Sequence, residues 1–238
     1  MESTRTNTHP TDSAPHISFE EVKNNEEISA YIRKGNDGLG AIGYTEHGFA
    51  HATKTAHKAA EILAAFQYPQ RDQELAMIAA YLHDIGNCVN RNDHAQSGAI
   101  MAFRILDKMG MAPEDLAEVV EAIGNHDEGT GTAVSPISAA IILADKSDVR
   151  RTRVRYKNRN RVKLSQDIHD RVNFAVQKAH LQIEPEAKQI ILELTIDTKI
   201  SAVMEYFEIF LVRMSMCRQA ALFLGADFQL NINGVKLL

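Results

Sequence analysis

The chain has 238 residues, 45 % of them hydrophobic, a net charge of −5 and only two cysteines, Cys88 and Cys217. That length and apolar content suffice for one large domain or two small ones with a sizeable core. Two distant cysteines exclude a disulfide framework and an all-thiolate metal site and fit a reducing compartment. No apolar run approaches the ~18 residues of a membrane span and no charged-then-apolar leader opens the chain, so a soluble cytoplasmic protein with no membrane partner is expected.

Residues 1–17 open with the polar, Pro- and Ser/Thr-rich stretch MESTRTNTHPTDSAPH and are expected to form a disordered tail. Residues 18–149 read as an all-helical domain. Ala52, Ala56, Ala59, Leu63 and Phe66 mark one apolar helix face, and Met101, Ile105 and Met109 a second. Leu116, Val119, Val120 and Ile123 mark a third, behind an acidic helix start at Pro113-Glu114-Asp115. Pro136 precedes a short buried helix, ISAAIILAD.

Residues 150–166 form a basic linker. The run from Arg150 to Lys163 holds eight basic side chains and no acid, which leaves the rest of the chain strongly acidic. From Arg151 to Lys163 the charges fall on every second residue, so an extended ribbon would present them on one side, to a phosphate or to RNA. A solvated connector is the alternative, and Tyr156 alone is a thin platform for stacking single-stranded bases. Residues 167–238 read as a small α+β module: two strands joined by a turn at Pro185, a helix from about Lys199 to Leu224, and a hairpin at Asn233-Gly234. Its apolar helix AVMEYFEIFLVRM exceeds what so small a unit can bury, which predicts a homodimer contact.

The chemistry concentrates in the helical part. In AAYLHDIGN an apolar stripe ends in His83 and Asp84, and a carboxylate buried there is costly unless paired or metal-bound. His51 opens one helix, His94 heads another, His126 continues Val119 and Ile123, and Asp145 continues Ile137 and Ile141. Each aims a polar group at a core from a different helix. A hydrogen-bonded His/Asp network would explain one or two of them; a metal site explains the set. Imidazole and carboxylate donors suit Fe and Mn foremost, with Co, Ni or Zn also compatible. His57 lies off the face of His51, while His9, His16, His169 and His180 read as surface residues and Cys88 as packing.

The order His51, His83-Asp84, Asp145 resembles the H…HD…D signature of the HD superfamily of metal-dependent phosphohydrolases, and HATKTAHKAAEIL and AAYLHDIGN are similar to its first two motifs. With His94 and His126 added, the pattern resembles the H…HD…H…H…D subgroup, whose members hold two metal ions. The resemblance implies a helical core around the metal, with His51, His83 and Asp145 on one ion, His94 and His126 on the other, and Asp84 bridging. It implies hydrolysis of a phosphoester or phosphoanhydride in a small nucleotide-like anion, with nucleic acid a less favoured partner. Many relatives carry a lysine where Asn87 stands; Lys146 could meet substrate phosphate in its place, with Arg150, Arg151 and Arg153 beside it. His47 is a candidate base behind the metal ligands or a substrate contact, or else a helix-capping or loop residue. Glu46 reads as an N-terminal helix acid, and Asp127 and Glu128 as groups orienting His126 or a water, or as part of a solvated turn. Two rivals stay open: a diiron oxygenase of the same superfamily, for which Tyr44 and Glu46 are suggestive, and a nucleotide or RNA sensor without turnover.

Overall fold

The computed structural model describes residues 16–155 and 168–238. Helix α1 (Phe19–Lys23) starts with a reciprocal cap: the Ser18 hydroxyl accepts the Glu21 N–H, and the Glu21 carboxylate accepts the Ser18 N–H. It leads into α2 (Glu26–Ala41), α3 (Phe49–Ala65), α4 (Gln70–Leu82), α5 (His94–Met109), α6 (Pro113–Gly124) and α7 (Pro136–Lys146). The central element is α7, which the sequence makes apolar on every side from Ala139 to Ala144, and such a helix must be surrounded. It packs against α3, α4 and α6. Alanines at Ala52, Ala56 and Ala59 of α3 and at Ala76, Ala79 and Ala80 of α4 are all buried, which brings those two backbones close and draws the first residues of α3 towards the end of α4.

The remaining elements are α8 (Ile168–Ala175), β1 (Val176–Glu184), β2 (Gln189–Ile196), α9 (Val203–Phe223), β3 (Asp227–Ile232) and β4 (Val235–Lys236). The sheet order is β1-β2-β3-β4; β1 and β2 are antiparallel, β2 and β3 parallel, β3 and β4 antiparallel. The parallel pair requires a crossover, and α9 is that crossover. Asn233 and Gly234 both adopt positive φ, 51° and 80°, as a two-residue hairpin turn demands. The expected class, a helical core followed by a small α+β module, is borne out. The apolar core is nonetheless a single cluster running from Ile17 to Ile232, because α9 packs directly on α7. Met204, Leu211, Val212, Leu222 and Phe223 leave an apolar strip of α9 exposed. Among the described residues, no helix is long and apolar enough to cross a membrane.

Three expectations about the secondary structure differ from what is found. Residues 168–175 form a helix that the sequence reading did not anticipate. Helix α9 begins at Val203 and not near Lys199, since Ile200 and Ser201 donate back to the Asp197 carbonyl in a turn. The basic ribbon is not extended where described: Arg151–Arg153 is a single 3₁₀ turn, so its side chains fan out in different directions. Residues 1–15 and 156–167, and with them most of the expected tail and of the ribbon from Tyr156 to Lys163, lie outside the described residues.

Candidate metal centre

Four imidazoles meet at the middle of the helical bundle, all but removed from solvent: His51 from the first turn of α3, His83 capping the C-terminus of α4, His94 heading α5 and His126 just beyond α6. The sequence reading placed His126 on the α6 stripe; that helix stops at Gly124, and His126 turns inward from the following loop. Asp84 follows His83 into a 3₁₀ turn (Ile85–Cys88), and Asp145 belongs to the last turn of α7. Gly86 makes the packing of that turn on α5 feasible: a Cβ there would lie 2.0 Å from the His94 carbonyl oxygen.

The ring orientations are set from behind. His83 Nδ1 lies 2.7 Å from the Ala80 carbonyl, His94 Nδ1 3.0 Å from the Arg91 carbonyl and His126 Nδ1 2.6 Å from the Ile123 carbonyl. A carbonyl oxygen only accepts, so each Nδ1 carries the proton and each Nε2 offers a lone pair. His51 follows the same rule with a carboxylate, its Nδ1 donating to Asp148 Oδ2 at 2.8 Å. The four Nε2 atoms then face one another, His51 to His83 at 3.3 Å and His94 to His126 at 3.1 Å. Lone pairs at that distance repel unless a proton or another cation is shared between them; at His94 Nε2 the Arg91 guanidinium is also within reach, at 3.2 Å.

Asp84 connects the two pairs. Its Oδ2 is 3.3 Å from His83 Nε2 and 3.7 Å from His51 Nε2, whereas its Oδ1 is 3.4 Å from His94 Nε2. Asp145 Oδ1 completes the first group at 3.2 Å from His51 Nε2. Donors bonded to one ion at about 2.1 Å, 90–110° apart, are separated by roughly 3.0–3.4 Å, a range that these separations match apart from the 3.7 Å between Asp84 and His51. Three combinations have the spacing of a metal site: His51, His83 and Asp145; His83, Asp84 and His126; and His94, His126 and Asp127. Burial alone would raise the Asp84 carboxyl, but His83 beside it holds the group well below the usual carboxylate range. Burial and the neighbouring His83 and Lys146 push His126 down, so it stays neutral, as a metal ligand must. Against the pull of burial, Asp84 and Asp145 raise His83 to about 10, so at neutral pH its Nε2 holds a cation, either a proton or a metal ion.

The other named residues occupy distinct places. Asn87 donates to Asp84 Oδ1 at 2.7 Å, so it orients that carboxylate. Lys146 is 3 % exposed, its ammonium 2.7 Å from both Asp145 Oδ2 and Glu128 Oε2. His47 has its Nδ1 on the Thr45 carbonyl at 2.8 Å and stands beside His51; burial and then Arg153 lower it well below its ordinary value. Glu46 lies ahead of α3, outside the helix, and accepts the N–H of its N-cap residue Gly48. Arg153 is buried, binding the Glu46 and Asp148 carbonyls. Arg150 binds Asp148, and Arg151 turns away to the carbonyl and ring face of Phe174. Neither Arg150 nor Arg151 lines the cavity beside the cluster, whereas Arg91 and Arg213, which sequence reasoning passed over, both do. Asp148 was missed too, although its position three residues after Asp145 was a usable signal. His57 contacts Phe19, away from the cluster.

This is a helical His/Asp metal centre of a recurrent type. The HD domain profile matches residues 48–196, well over half the sequence, and the chain belongs to that family. It is similar to an uncharacterized protein of Methanocaldococcus jannaschii, 25 % identical over 211 residues and covering 78 % of each chain. It is also similar to a solved structure described as a predicted HD superfamily hydrolase from an uncultured Thermotogales bacterium, at 29 % identity and a TM-score of 0.41, with 52 % of this chain and 67 % of that one covered.

Proposed function

We propose that the chain is a metal-dependent phosphohydrolase that holds two divalent ions, one on His51, His83 and Asp145, the other on His94 and His126, with Asp84 shared. The observation that carries the reading is the split of Asp84 between the two imidazole pairs, next to a cavity bordered by Arg91, Lys146, Arg153 and Arg213. When bound, such ions lower the pKa of water and offset charge on a phosphoryl oxygen. The protein supplies the rest. Arg91, Arg153 and Arg213 bind and orient the phosphate. His47, with its proton fixed on Nδ1, accepts a proton at Nε2 and can return one to the departing oxygen. Lys146 is spent on Asp145 and Glu128, so it positions a ligand and lends the site positive charge without gripping substrate directly. The lining favours an anionic substrate over a neutral one and leaves a phosphonate-cleaving oxygenase as the rival reading. The test is metal analysis of chelator-free protein, followed by phosphate release and oxygen uptake across a panel of phosphate esters, phosphonates and phosphate-free compounds with Mn or Fe added. Oxygen uptake without phosphate release from the esters would reverse the assignment.

A further inference from the structure

The space at the centre is divided. A chamber of about 10 Å³ lies among Asp84, His94, His126 and Asp145. It adjoins a cavity of about 290 Å³, and His47, Arg91, Lys146, Arg153 and Arg213 border both. Arg153 is 5 % exposed, and its Nη2 is buried without a partner among the described residues. An orphaned guanidinium nitrogen beside the ion chamber calls for an anion. The rest of the cavity lining is mixed: Ile42, Val149 and Phe210 are apolar, Tyr44 is aromatic, and Asn173, His169 and the buried Asp170 add hydrogen-bonding capacity. Phe210 and Arg213 come from α9, beyond the matched stretch of residues 48–196. The Arg213 guanidinium lies 4.9 Å from the Phe210 ring centre and donates to Glu128 at 2.7 Å, so the charged and apolar walls are tied together.

Size and outer charge narrow what fits. A cavity of roughly 150 Å³ takes one benzene, so 290 Å³ takes an organic group of about twice that bulk. Outside, the open groove past Tyr44 and Arg91 is lined by Asp93, Asp127 and Glu128, with Arg91 the one cation among its described lining residues. Further phosphates reaching into that groove would meet carboxylates.

We propose that the substrate is a compact phosphomonoester, one phosphate joined to a single organic group of about nucleoside size, and that Tyr44, Asn173 and Phe210 hold that group. The inference rests on the phosphohydrolase reading. In the reaction a water oxygen bonds to phosphorus and the P–O ester bond breaks, its electron pair staying on the ester oxygen. That oxygen takes up a proton, and the products are an alcohol or phenol and inorganic phosphate. The probes are inorganic phosphate, adenosine 5′-monophosphate, 1-naphthyl phosphate and adenosine 5′-triphosphate, titrated calorimetrically into the Mn-loaded full chain. Both monoesters should bind at least fivefold tighter than inorganic phosphate, and the triphosphate no tighter than the monophosphate. Tyr44→Ala, at an exposed position that should not disturb folding, should weaken monoester binding at least fivefold and leave inorganic phosphate within twofold. Equal losses for all probes, monoesters no tighter than phosphate, or a triphosphate tenfold tighter would overturn the assignment. A phosphate-release assay separates the two readings. Release from triphosphates or dinucleotides at higher kcat/KM than from monoesters overturns the pocket assignment and leaves the hydrolase standing. Selective monoester binding without release from any ester upholds the pocket and removes the hydrolase.

Discussion

Asp148 Oδ2 accepts the Nδ1–H of His51 at 2.8 Å, while its Oδ1 takes Lys54 at 2.7 Å and Arg150 at 2.9 Å. Burial would raise this carboxyl, but the hydrogen bond from His51 and nearby cations hold it well below the ordinary range. An ionised partner on Nδ1 makes the opposite nitrogen a stronger donor to metal. Asp148→Asn keeps the shape and removes the charge. Metal affinity, read by competition with a chelator, should fall about tenfold or more. An unchanged affinity would reduce Asp148 to a packing role.

The split of Asp84 between two imidazole pairs has a stoichiometric consequence. Asp84→Ala should release most of both ions, His94→Ala mainly one, and His57→Ala none, since His57 packs on Phe19. Elemental analysis per chain reads all three. Two full equivalents retained in Asp84→Ala would refute the bridging role.

Much of this centre was legible in the sequence, and the reason is geometric. A ligand on a helix must continue an apolar stripe, so Asp145 behind Ile137 and Ile141 announces its direction. His126 was identified for a partly wrong reason, since α6 ends before it and a loop delivers it. What escaped were residues whose role depends on tertiary approach. Arg213 sits 85 residues from Glu128, and no local pattern joins them. The alternation of arginines after residue 150 suggested a ribbon, but the carbonyls of Glu46, Asp148 and Phe174 competed for those guanidiniums and folded the segment against the bundle. Residues 168–175 make only two turns, too few for periodicity to declare a helix.

On the proposed reading, the cations that serve substrate are those lining the cavity. Arg91 lines both the ion chamber and the cavity, and Arg151 neither. Arg91→Ala should raise KM roughly tenfold, with a loss that shrinks as salt screens the contact. Arg151→Ala should leave KM alone and lower the melting temperature by a few degrees, because it removes a stacked, hydrogen-bonded guanidinium from Phe174. If Arg151→Ala altered KM as strongly as Arg91→Ala, the fan of arginines would be serving substrate after all.

The join between α8 and α9 should be sensitive to acid. Arg171 makes two contacts with Glu205, and the Ser201 hydroxyl donates to the same carboxylate. These hydrogen bonds lower the Glu205 carboxyl from its ordinary 4.5 to about 2. A folded-state pKa below the unfolded value means that the contribution is fully present above about pH 4.5 and is lost as pH falls towards 2. The shift by itself would correspond to about 3 kcal/mol. The carboxylate is near solvent, however, with a quarter of its side chain exposed, and screening reduces the expected gain to about 1 kcal/mol. Glu205→Gln should therefore melt below wild type at pH 7 and pH 5.5, with the gap closing at pH 3.5 and below. Both proteins should be measured in chelator, so that protonation of the metal ligands does not enter the comparison. A gap of constant size across that range would mean that the pair contributes through packing and neutral hydrogen bonds, with no part played by the charge.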